Sequence, residues 1–345
     1  MTIQLATKTT RILIFCLIFM GCQGNSKEVV YELINGSDRS LKGAIVEIED
    51  PAILKNYQFS AELVDEENSQ IQYVDEDKDG TWDRLLLKLD FEPGEKKLMR
   101  LTAANTPTNS GALDVNNITF SIKSEGRYTG LEIEKMVRSR GANQSIKDPF
   151  FHLEGPGIEN DKVAFRTFFD PRNGKDIYGK TTDQPALQRA GIDSSWHKLS
   201  DWGMDILHVG KSLGAGGLAV LQGDELHRLG DADQSIFRKL YMGPLESAYR
   251  IDFMGWDAGN QKIDGFEQIS LKQGKHYYCN KIGLSDTSIE LVVGMPNFKS
   301  DTVFYTRHNE DFASIWSYAN QADGTDTRLG MAIMFQANQY TGHDM

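Results

Sequence analysis

Short runs in which apolar and polar residues alternate recur along the first third of the chain. Alternation with a period of two is typical of half-buried strands, and clusters of turn-forming residues separate these runs. The pattern predicts a small β-sandwich over residues 29–121, with strands at 29–34, 44–48, 71–74, 84–89 and 97–102.

The remaining two thirds, residues 122–345, are also rich in apolar runs, but longer polar stretches separate them. Asp183 and Pro185 indicate at most one short helix, because Gly191 follows soon after. The turn-rich segment 105–111 predicts the boundary between two units. We therefore expect an all-β chain whose second unit is a large antiparallel sandwich, with strands at 163–169, 216–221, 248–253, 289–293 and 330–335.

The N-terminus combines Lys8 and Arg11 with an apolar run at 12–20 that is too short to span a bilayer. This pattern predicts a signal peptide at 1–21. The segment Phe19-Met20-Gly21-Cys22 resembles a bacterial lipobox, which implies a lipid on Cys22, a tether at 22–28 and a membrane anchor. Gln23, rather than Asp, implies an exported outer-membrane lipoprotein that faces the periplasm or the cell surface. The alternative is an ordinary secreted protein with a chance cysteine.

The charge of the chain argues against one class of partner. The 37 Lys and Arg against 49 Asp and Glu give a net charge of −12, which argues against nucleic-acid binding because that requires a broad basic surface.

Once Cys16 is removed with the leader and Cys22 is acylated, Cys279 remains alone, so no intramolecular disulfide is possible. We expect Cys279 to be a small buried hydrophobe. The sequence leaves the oligomeric state open.

An acidic loop separates two of the predicted strands in the first unit. It has the pattern D-x-D-x-D-G-x-x-D, in which alternate carboxylates converge when the loop curls and the glycine permits a sharp turn. Hard oxygen ligands favour Ca²⁺ in a structural role. Leu86 replaces the bidentate glutamate of an EF-hand, so the loop is not of that type. An acidic hairpin turn without metal is the alternative. The predicted ligands are Asp75, Asp77, Asp79 and Asp83.

The densest mixture of His, Tyr, Trp, charged residues and glycine lies between residues 152 and 217. Three segments there, EGPGIENDKVAFR, DPRNGKDIYGK and WHKLSDWGMDILHVGKSLGAGG, resemble an uncharacterised-domain family of lipoproteins from polysaccharide-degrading bacteria. The earlier segment QIQYVDEDKDGTWDRLLL resembles the same family's acidic motif. The resemblance implies a mutarotase-like β-supersandwich for the second unit. It also implies an oligosaccharide dehydratase that removes water from a terminal uronic acid to leave a 4,5-unsaturated sugar.

Such an elimination requires a cation for the substrate carboxylate, a base for the proton on C5 and an acid for the departing 4-hydroxyl. Arg166, Arg172 or Lys180 could neutralise the carboxylate. We assign His197 as base and Tyr178 as acid, and Asp205 could orient the histidine. The substrate would be an anionic oligosaccharide, and no organic cofactor is expected. Further substrate contacts are expected from His152, Glu154, Asn160, Arg172, Lys180, Trp202 and Lys211.

Several other interpretations remain open at this point. Asp205 could instead be a buried partner of Arg166. Glu154, Glu159 and Asn160 could simply satisfy loop backbone groups. A glycoside hydrolase or polysaccharide lyase could use Glu154, Glu159 and Asp205, and a non-catalytic glycan-binding lipoprotein is a further possibility. The pattern G-x-S-x-G around Ser212 is not a nucleophile elbow, because a strand pattern follows it where a helix is needed.

Overall fold

The computed structural model describes residues 12–17, 28–49, 59–63, 70–103, 115–124, 127–142, 150–192, 196–296, 303–320 and 328–343. Over these residues the chain forms strands and three short 3-10 turns, so the prediction of an all-β protein is confirmed. None of the helical segments in these ranges is long and apolar enough to cross a membrane. Cys22, the predicted lipidation site, lies outside the described residues, and strand β1 falls within the predicted signal peptide.

The chain divides into two compact units. The first contains seven strands in two antiparallel sheets, with strand orders β1-β2-β7-β4 and β3-β6-β5. The strands are β1 (Ile12–Leu17), β2 (Glu28–Asn35), β3 (Leu41–Ile48), β4 (Phe59–Leu63), β5 (Gln70–Val74), β6 (Arg84–Phe91) and β7 (Lys96–Ala103).

Both sheets of this unit contribute to one apolar core, as expected for a β-sandwich. Strand β6 shows how the sequence produces it. Leu85, Leu87 and Leu89 stand at every second position and point into the core, where they meet Leu33 from the other sheet. Leu86 is also fully buried, but on the opposite face, where it packs with Val74 and Leu245.

The second unit contains the remaining strands. They are β8 (Asn117–Thr119), β9 (Ser121–Ser124), β10 (Arg127–Glu132), β11 (Lys135–Ser139), β12 (Gly157–Glu159), β13 (Val163–Thr167), β14 (Lys175–Lys180), β15 (Gly203–Asp205), β16 (Gly217–Gln222), β17 (Glu225–Arg228), β18 (Ala232–Tyr241), β19 (Glu246–Asp257), β20 (Lys262–Lys272), β21 (Cys279–Leu284), β22 (Val292–Gly294), β23 (Phe304–Arg307), β24 (Phe312–Asn320) and β25 (Arg328–Gln336). The 3-10 turns are His152–Glu154, Leu187–Arg189 and Ala337–Gln339.

Two five-stranded sheets, ordered β15-β14-β13-β12-β8 and β11-β18-β19-β20-β21, enclose the main core of this unit. Ile158 and Phe165 from the first sheet and Ile251 and Ile269 from the second belong to one buried cluster. Smaller sheets, β9-β10, β16-β17-β22 and β23-β24-β25, complete the unit. The likeness to a mutarotase-type supersandwich stays a prediction.

The division into units differs in detail from the predicted boundary at residue 121. The second unit begins at Val115, and Leu240–Glu246, the turn between β18 and β19 with the ends of both strands, belongs to the first unit. The buried Gln72 binds this turn. Its amide oxygen accepts from the backbone N–H groups of Leu245 and Glu246, each at 2.8 Å, and its amide nitrogen donates to the Glu246 carbonyl at 2.9 Å.

Two local expectations are not met. A 3-10 turn, Leu187–Arg189, stands where Asp183 and Pro185 suggested a short helix. Cys279 is exposed at the start of the edge strand β21, so the expectation that it is buried is wrong. An edge strand is covered on one side only, which explains why an apolar cysteine there remains accessible.

Candidate functional site

The candidate site lies on the outer face of the sheet β15-β14-β13-β12-β8, opposite the main core. Strand pairing places Asp176 of β14 beside Arg166 of β13, and Tyr178 beside Asp205 of β15. Alternate residues of a strand share one face, so Asp176 and Tyr178 both point away from the main core. Two adjacent strand pairings thus bring three predicted site residues together with Asp176, which the sequence analysis did not single out.

Arg166 is the centre of this cluster and is almost fully buried. Its guanidinium donates to Asp176 and lies 3.6 Å from Asp205 and 3.7 Å from Glu154. It also donates to the carbonyl of Leu153 at 3.2 Å. Three carboxylates already surround this cation, so its contacts favour a role in holding them rather than the predicted pairing with a substrate carboxylate.

Asp205 has an unusual protonation state for a carboxyl group. Its burial, and then the adjacent Asp176, raise the pKa of Asp205 to about 8, although Arg166 opposes this shift. Two carboxylates close together in a buried site cannot both ionise easily, because the second charge is repelled and poorly solvated. The Asp205 carboxyl group therefore keeps its proton at neutral pH.

His197 lies against Asp205 at the edge of the cluster. Its Nδ1 is 3.3 Å from the backbone carbonyl oxygen of Asp205 and 3.7 Å from a carboxylate oxygen of the same residue. The imidazole stacks on that of His208 with ring centroids 3.9 Å apart, and its side chain is 42% exposed. Partial burial, and to a smaller degree His208, lower the pKa of His197, so its ring is neutral at neutral pH. A neutral, partly exposed imidazole fits the role of a general base.

Tyr178 is completely buried among aromatic side chains, including Trp202 at 6.3 Å between ring centroids. Within the described residues its hydroxyl has no hydrogen-bond partner. Burial raises the pKa of Tyr178 well above its usual value. A sealed phenol does not reach a substrate at the surface, so the structure disfavours the predicted role of Tyr178 as acid. Trp202 is only 2% exposed and likewise offers no face to a sugar.

A second basic residue, Arg172, extends the cluster through Glu154. Arg172 donates to Glu154 at 2.7 Å and to Asp170, and its guanidinium lies 4.0 Å from the centre of the Phe168 ring. Arg166 lies 4.3 Å from the same ring, so both guanidinium groups make cation–π contacts with it. The predicted residues Glu154 and Arg172 are therefore parts of one network.

The backbone that carries Glu154 is strained. Glu154 and the preceding Leu153 have φ angles of 57° and 61°, in the left-handed region that non-glycine residues rarely adopt. The following Gly155 has no room for a side chain, because a Cβ there would lie 2.0 Å from the carbonyl oxygen of Thr167. Strain of this kind is concentrated at functional sites, where packing maintains it.

Other predicted contact residues serve the loops that cover the sheet. The Lys180 amine donates to Glu159 at 2.8 Å and to the carbonyl of Asn160 at 2.6 Å, and its side chain is 1% exposed. Glu159 accepts from the backbone N–H groups of Ala186 and Leu187. The Asn160 amide bonds four backbone groups, those of Lys162, Val163, Lys272 and Lys275. These contacts favour a structural role for Lys180 and Asn160.

His152 and Lys211 lie at opposite extremes of exposure. His152 is 1% exposed, its Nε2 lies 3.4 Å from the carbonyl oxygen of Leu187, and burial lowers its pKa to about 4. It is therefore a neutral interior residue, and only Lys211 of the two is placed to meet a solute. Lys211 is exposed three positions after His208, and Lys198 is exposed directly after His197.

The acidic loop of the first unit brings three of its four predicted ligands together. Carboxylate oxygens of Asp75, Asp77 and Asp83 all lie within 4.8 Å of one another. Asp79 instead accepts from the backbone N–H and the hydroxyl of Thr81, at 2.7 Å and 2.5 Å. Burial, followed by the effect of neighbouring carboxylates, raises the pKa of Asp83. This concentration of negative charge is compatible with a cation and equally with an acidic turn.

His208 and Asp176 are the site residues that sequence reasoning overlooked. The sequence gives little signal for Asp176, because Lys175 and Asp176 are consecutive charged residues and break the alternation expected of a strand. His208 follows Asp205 by three residues, and no periodicity marked it.

Comparison with known proteins gives a family but no characterised activity. A protein of Formosa agariphila named "Uncharacterized protein P7" is 25% identical over 287 residues, which cover 76% of this chain and 62% of that protein. The chain thus spans about three fifths of that relative's length. No solved structure matches the chain. The family model described as "Domain of unknown function (DUF4861)" matches residues 33–344, and the chain belongs to this family.

Proposed function

We propose that this protein is an exported carbohydrate-active enzyme that eliminates water from the terminal uronic acid of an anionic oligosaccharide. The observation that carries the proposal is the array of Asp205, His197 and His208 at the edge of a rigid sheet. The ring centroids of His197 and His208 lie 3.9 Å apart. Nδ1 of His197 lies 3.7 Å from the buried carboxyl group of Asp205. Acid–base chemistry at adjacent carbon atoms needs such a pair of groups.

In the proposed reaction His197 removes the proton from C5 through Nε2, because Nδ1 faces Asp205. The electron pair forms the C4–C5 double bond as the C4–O bond breaks. His208 replaces Tyr178 as the proposed acid and protonates the departing hydroxyl, which leaves as water. The substrate carboxylate must be neutralised to permit removal of the adjacent proton, and the exposed Lys198 and Lys211 are the candidates for this.

Asp205, Asp176 and Arg166 support this array from below. The backbone carbonyl of Asp205 accepts from Nδ1 of His197, which fixes the tautomer whose Nε2 can take a proton. Leu207 donates to the Asp205 carboxyl at 3.1 Å and Arg166 binds Asp176, so these groups are held in place before substrate arrives. Such preorganisation lowers the cost of reaching the transition state.

The test is incubation with uronate-terminated oligosaccharides, following ultraviolet absorbance of the unsaturated product and its mass. We expect loss of one water without chain shortening. His197→Ala should lower kcat by about 10²-fold or more, whereas His276→Ala, at an exposed histidine outside the site, should not. Tyr178→Phe should retain turnover, because the hydroxyl it removes is buried.

Other results would contradict the proposal in distinct ways. Chain shortening would identify a hydrolase or lyase, and binding without product would identify a glycan-binding lipoprotein. Loss of turnover in Tyr178→Phe, with folding intact, would restore the phenol as acid and remove His208 from that role.

We also propose that the acidic loop binds Ca²⁺ in a structural role, through Asp75, Asp77 and Asp83. The oxygen-only ligand set supports this ion over softer metals. Export and lipidation at Cys22 remain proposals that rest on the N-terminal sequence pattern.

A further inference from the structure

The sheet β23-β24-β25 presents an aromatic face to solvent. Strand pairing places Phe304 on one side of Trp316 and Ala332 on the other, and places Gly330 beside Tyr318. Paired residues of antiparallel strands lie on the same face, and so do alternate residues of one strand. Phe304, Trp316 and Tyr318 therefore share one face, which we call the aromatic platform.

The rings of the platform are held in place before any ligand binds. Phe304 and Trp316 stack with centroids 4.2 Å apart and planes 18° from parallel. The indole N–H of Trp316 donates to the hydroxyl of Thr306 at 3.1 Å on the neighbouring strand. Phe304 and Tyr318 are nevertheless 41% and 56% exposed. Ordered but exposed aromatic rings are costly to leave in water and mark binding surfaces.

A shallow trough runs beside these rings along the edge strand β25. Its floor consists of Gly330 and Ala332, while the larger Arg328 and Met334 stand at its two ends, about 20 Å apart along the strand. The floor is open, because even a Cβ added at Gly330 would meet only Tyr318, at an ordinary contact distance of 3.5 Å. A flat ring can therefore lie on the floor against the aromatic side chains.

The charge of this sheet is opposite to that of the whole protein. The three strands contain Arg307 and Arg328 but no Lys, Asp or Glu, in a chain whose net charge is −12. Arg328 donates to Asn320 at 3.2 Å, and its guanidinium lies 5.6 Å from the centre of the Tyr318 ring. A cation is thus fixed at the end of the trough, beside an aromatic ring.

We propose that the aromatic platform is a binding site for an anionic oligosaccharide, separate from the histidine array. Aromatic rings bind the C–H faces of sugar rings, and the fixed guanidinium pairs with a carboxylate or sulfate group. A second copy of this chain suits the platform less well, because the three strands themselves contain no Asp or Glu that could pair with Arg328 of another copy. An oligosaccharide ligand at the platform agrees with the proposed function. Binding at the platform does not, however, require that the protein converts the sugar to a product.

The experiment measures binding of galacturonic-acid oligomers by calorimetry, with neutral galactose oligomers of the same length as the comparison ligand. We expect the charged oligomer to bind more tightly. Trp316→Ala and Tyr318→Ala should each weaken that binding by about tenfold. Ala332→Trp should weaken it similarly by filling the trough. Tyr305→Ala is the matched control, because Tyr305 is an equally exposed aromatic residue on the opposite face of the sheet.

Three outcomes would overturn the proposal. Unchanged binding in Trp316→Ala and Ala332→Trp would exclude the platform. Loss of binding in His197→Ala with retention in Trp316→Ala would assign the oligosaccharide to the histidine array instead, whatever its catalytic role. A dimer in sedimentation velocity that Trp316→Ala dissociates would identify the platform as a contact between copies of the chain.

Discussion

At the scale of single residues, the candidate site combines buried charges with accessible imidazoles. Arg166, Asp176 and Asp205 are each at most 5% exposed, whereas the side chain of His197 is 42% exposed. Burying several charges is unfavourable unless they neutralise one another and form hydrogen bonds. We therefore interpret these three buried charged residues as groups that hold the His197 imidazole in position, rather than as a contribution to stability.

The raised pKa of Asp205 has a measurable consequence for stability. Because the pKa of Asp205 is about 8 in the folded protein and near 4 in an unfolded chain, the folded state holds a proton that the unfolded state releases between these values. The free energy of unfolding should therefore fall as pH rises from about 4 to about 8. Asp205→Asn should flatten this dependence in urea titrations over that range.

The control for this prediction is Asp224→Asn, at an exposed acidic residue between β16 and β17. That variant should retain the wild-type pH dependence. A difference in stability between wild type and Asp205→Asn that is the same at every pH would contradict the raised pKa of Asp205.

The sequence predicted several of the residues that form this cluster but not their exposure. Arg166, Asp205, His197, Glu154 and Arg172 do come together. Sequence patterns report residue type and strand period, and neither reveals that Tyr178 and Trp202 lie under the loops that cover the sheet. The packing of those loops depends on contacts distant in sequence, such as Glu159 with the backbone of Ala186.

At the scale of elements, strand β14 shows where pattern reasoning fails. Its sequence, Lys-Asp-Ile-Tyr-Gly-Lys, looks like a polar loop. In the structure Lys175 donates to the buried Glu267 at 2.8 Å on the core side, and Asp176 binds Arg166 on the outer side. A strand with ion pairs on both faces shows no alternation of apolar and polar residues, which is the signal by which strands are found. Strands β2, β3, β5, β6 and β7 were predicted from the sequence because their apolar residues do show a strand pattern.

Gln72 provides a test at this scale, because one side chain binds the turn between β18 and β19 through three hydrogen bonds. Gln72→Ala should lower the free energy of unfolding by about 3 kcal/mol, since it leaves buried backbone groups without partners. Chemical denaturation measures this change.

Gln70→Ala is the matched control, two residues earlier on the same strand, where the side-chain oxygen has no hydrogen-bond partner among the described residues. It should cost about 1 kcal/mol or less. Equal losses in the two variants would show that the turn gains nothing specific from Gln72.

At the scale of the whole molecule, composition and strand spacing were sufficient to predict an all-β chain with two units. They did not reveal that Leu240–Glu246 belongs to the first unit. Position along the sequence does not predict this assignment, because nothing in the sequence of a short apolar turn indicates which of the two cores it packs against. The Leu245 side chain joins Val74 and Leu86 in a buried cluster, although these residues lie 171 and 159 positions before it in the sequence.

The proposed calcium site predicts a global effect on stability. Added Ca²⁺ should raise the Tm by about 2–8 °C, and a chelator should reverse the increase, because a ligand that binds only the folded state stabilises it. Asp77→Ala should abolish the shift. Asp38→Ala, at an exposed acidic residue outside the loop, should preserve it. No response to either Ca²⁺ or chelator in a thermal scan would leave the loop as an acidic turn.

The return of Leu240–Glu246 to the first unit also constrains the order of events during biosynthesis. The N-terminal unit lacks part of its buried surface until residue 246 has left the ribosome. A fragment that ends at residue 114 would leave the Gln72 amide without its three partners. A single truncation point in the chain therefore does not yield two complete units. The first unit cannot finish folding before most of the second has been synthesised.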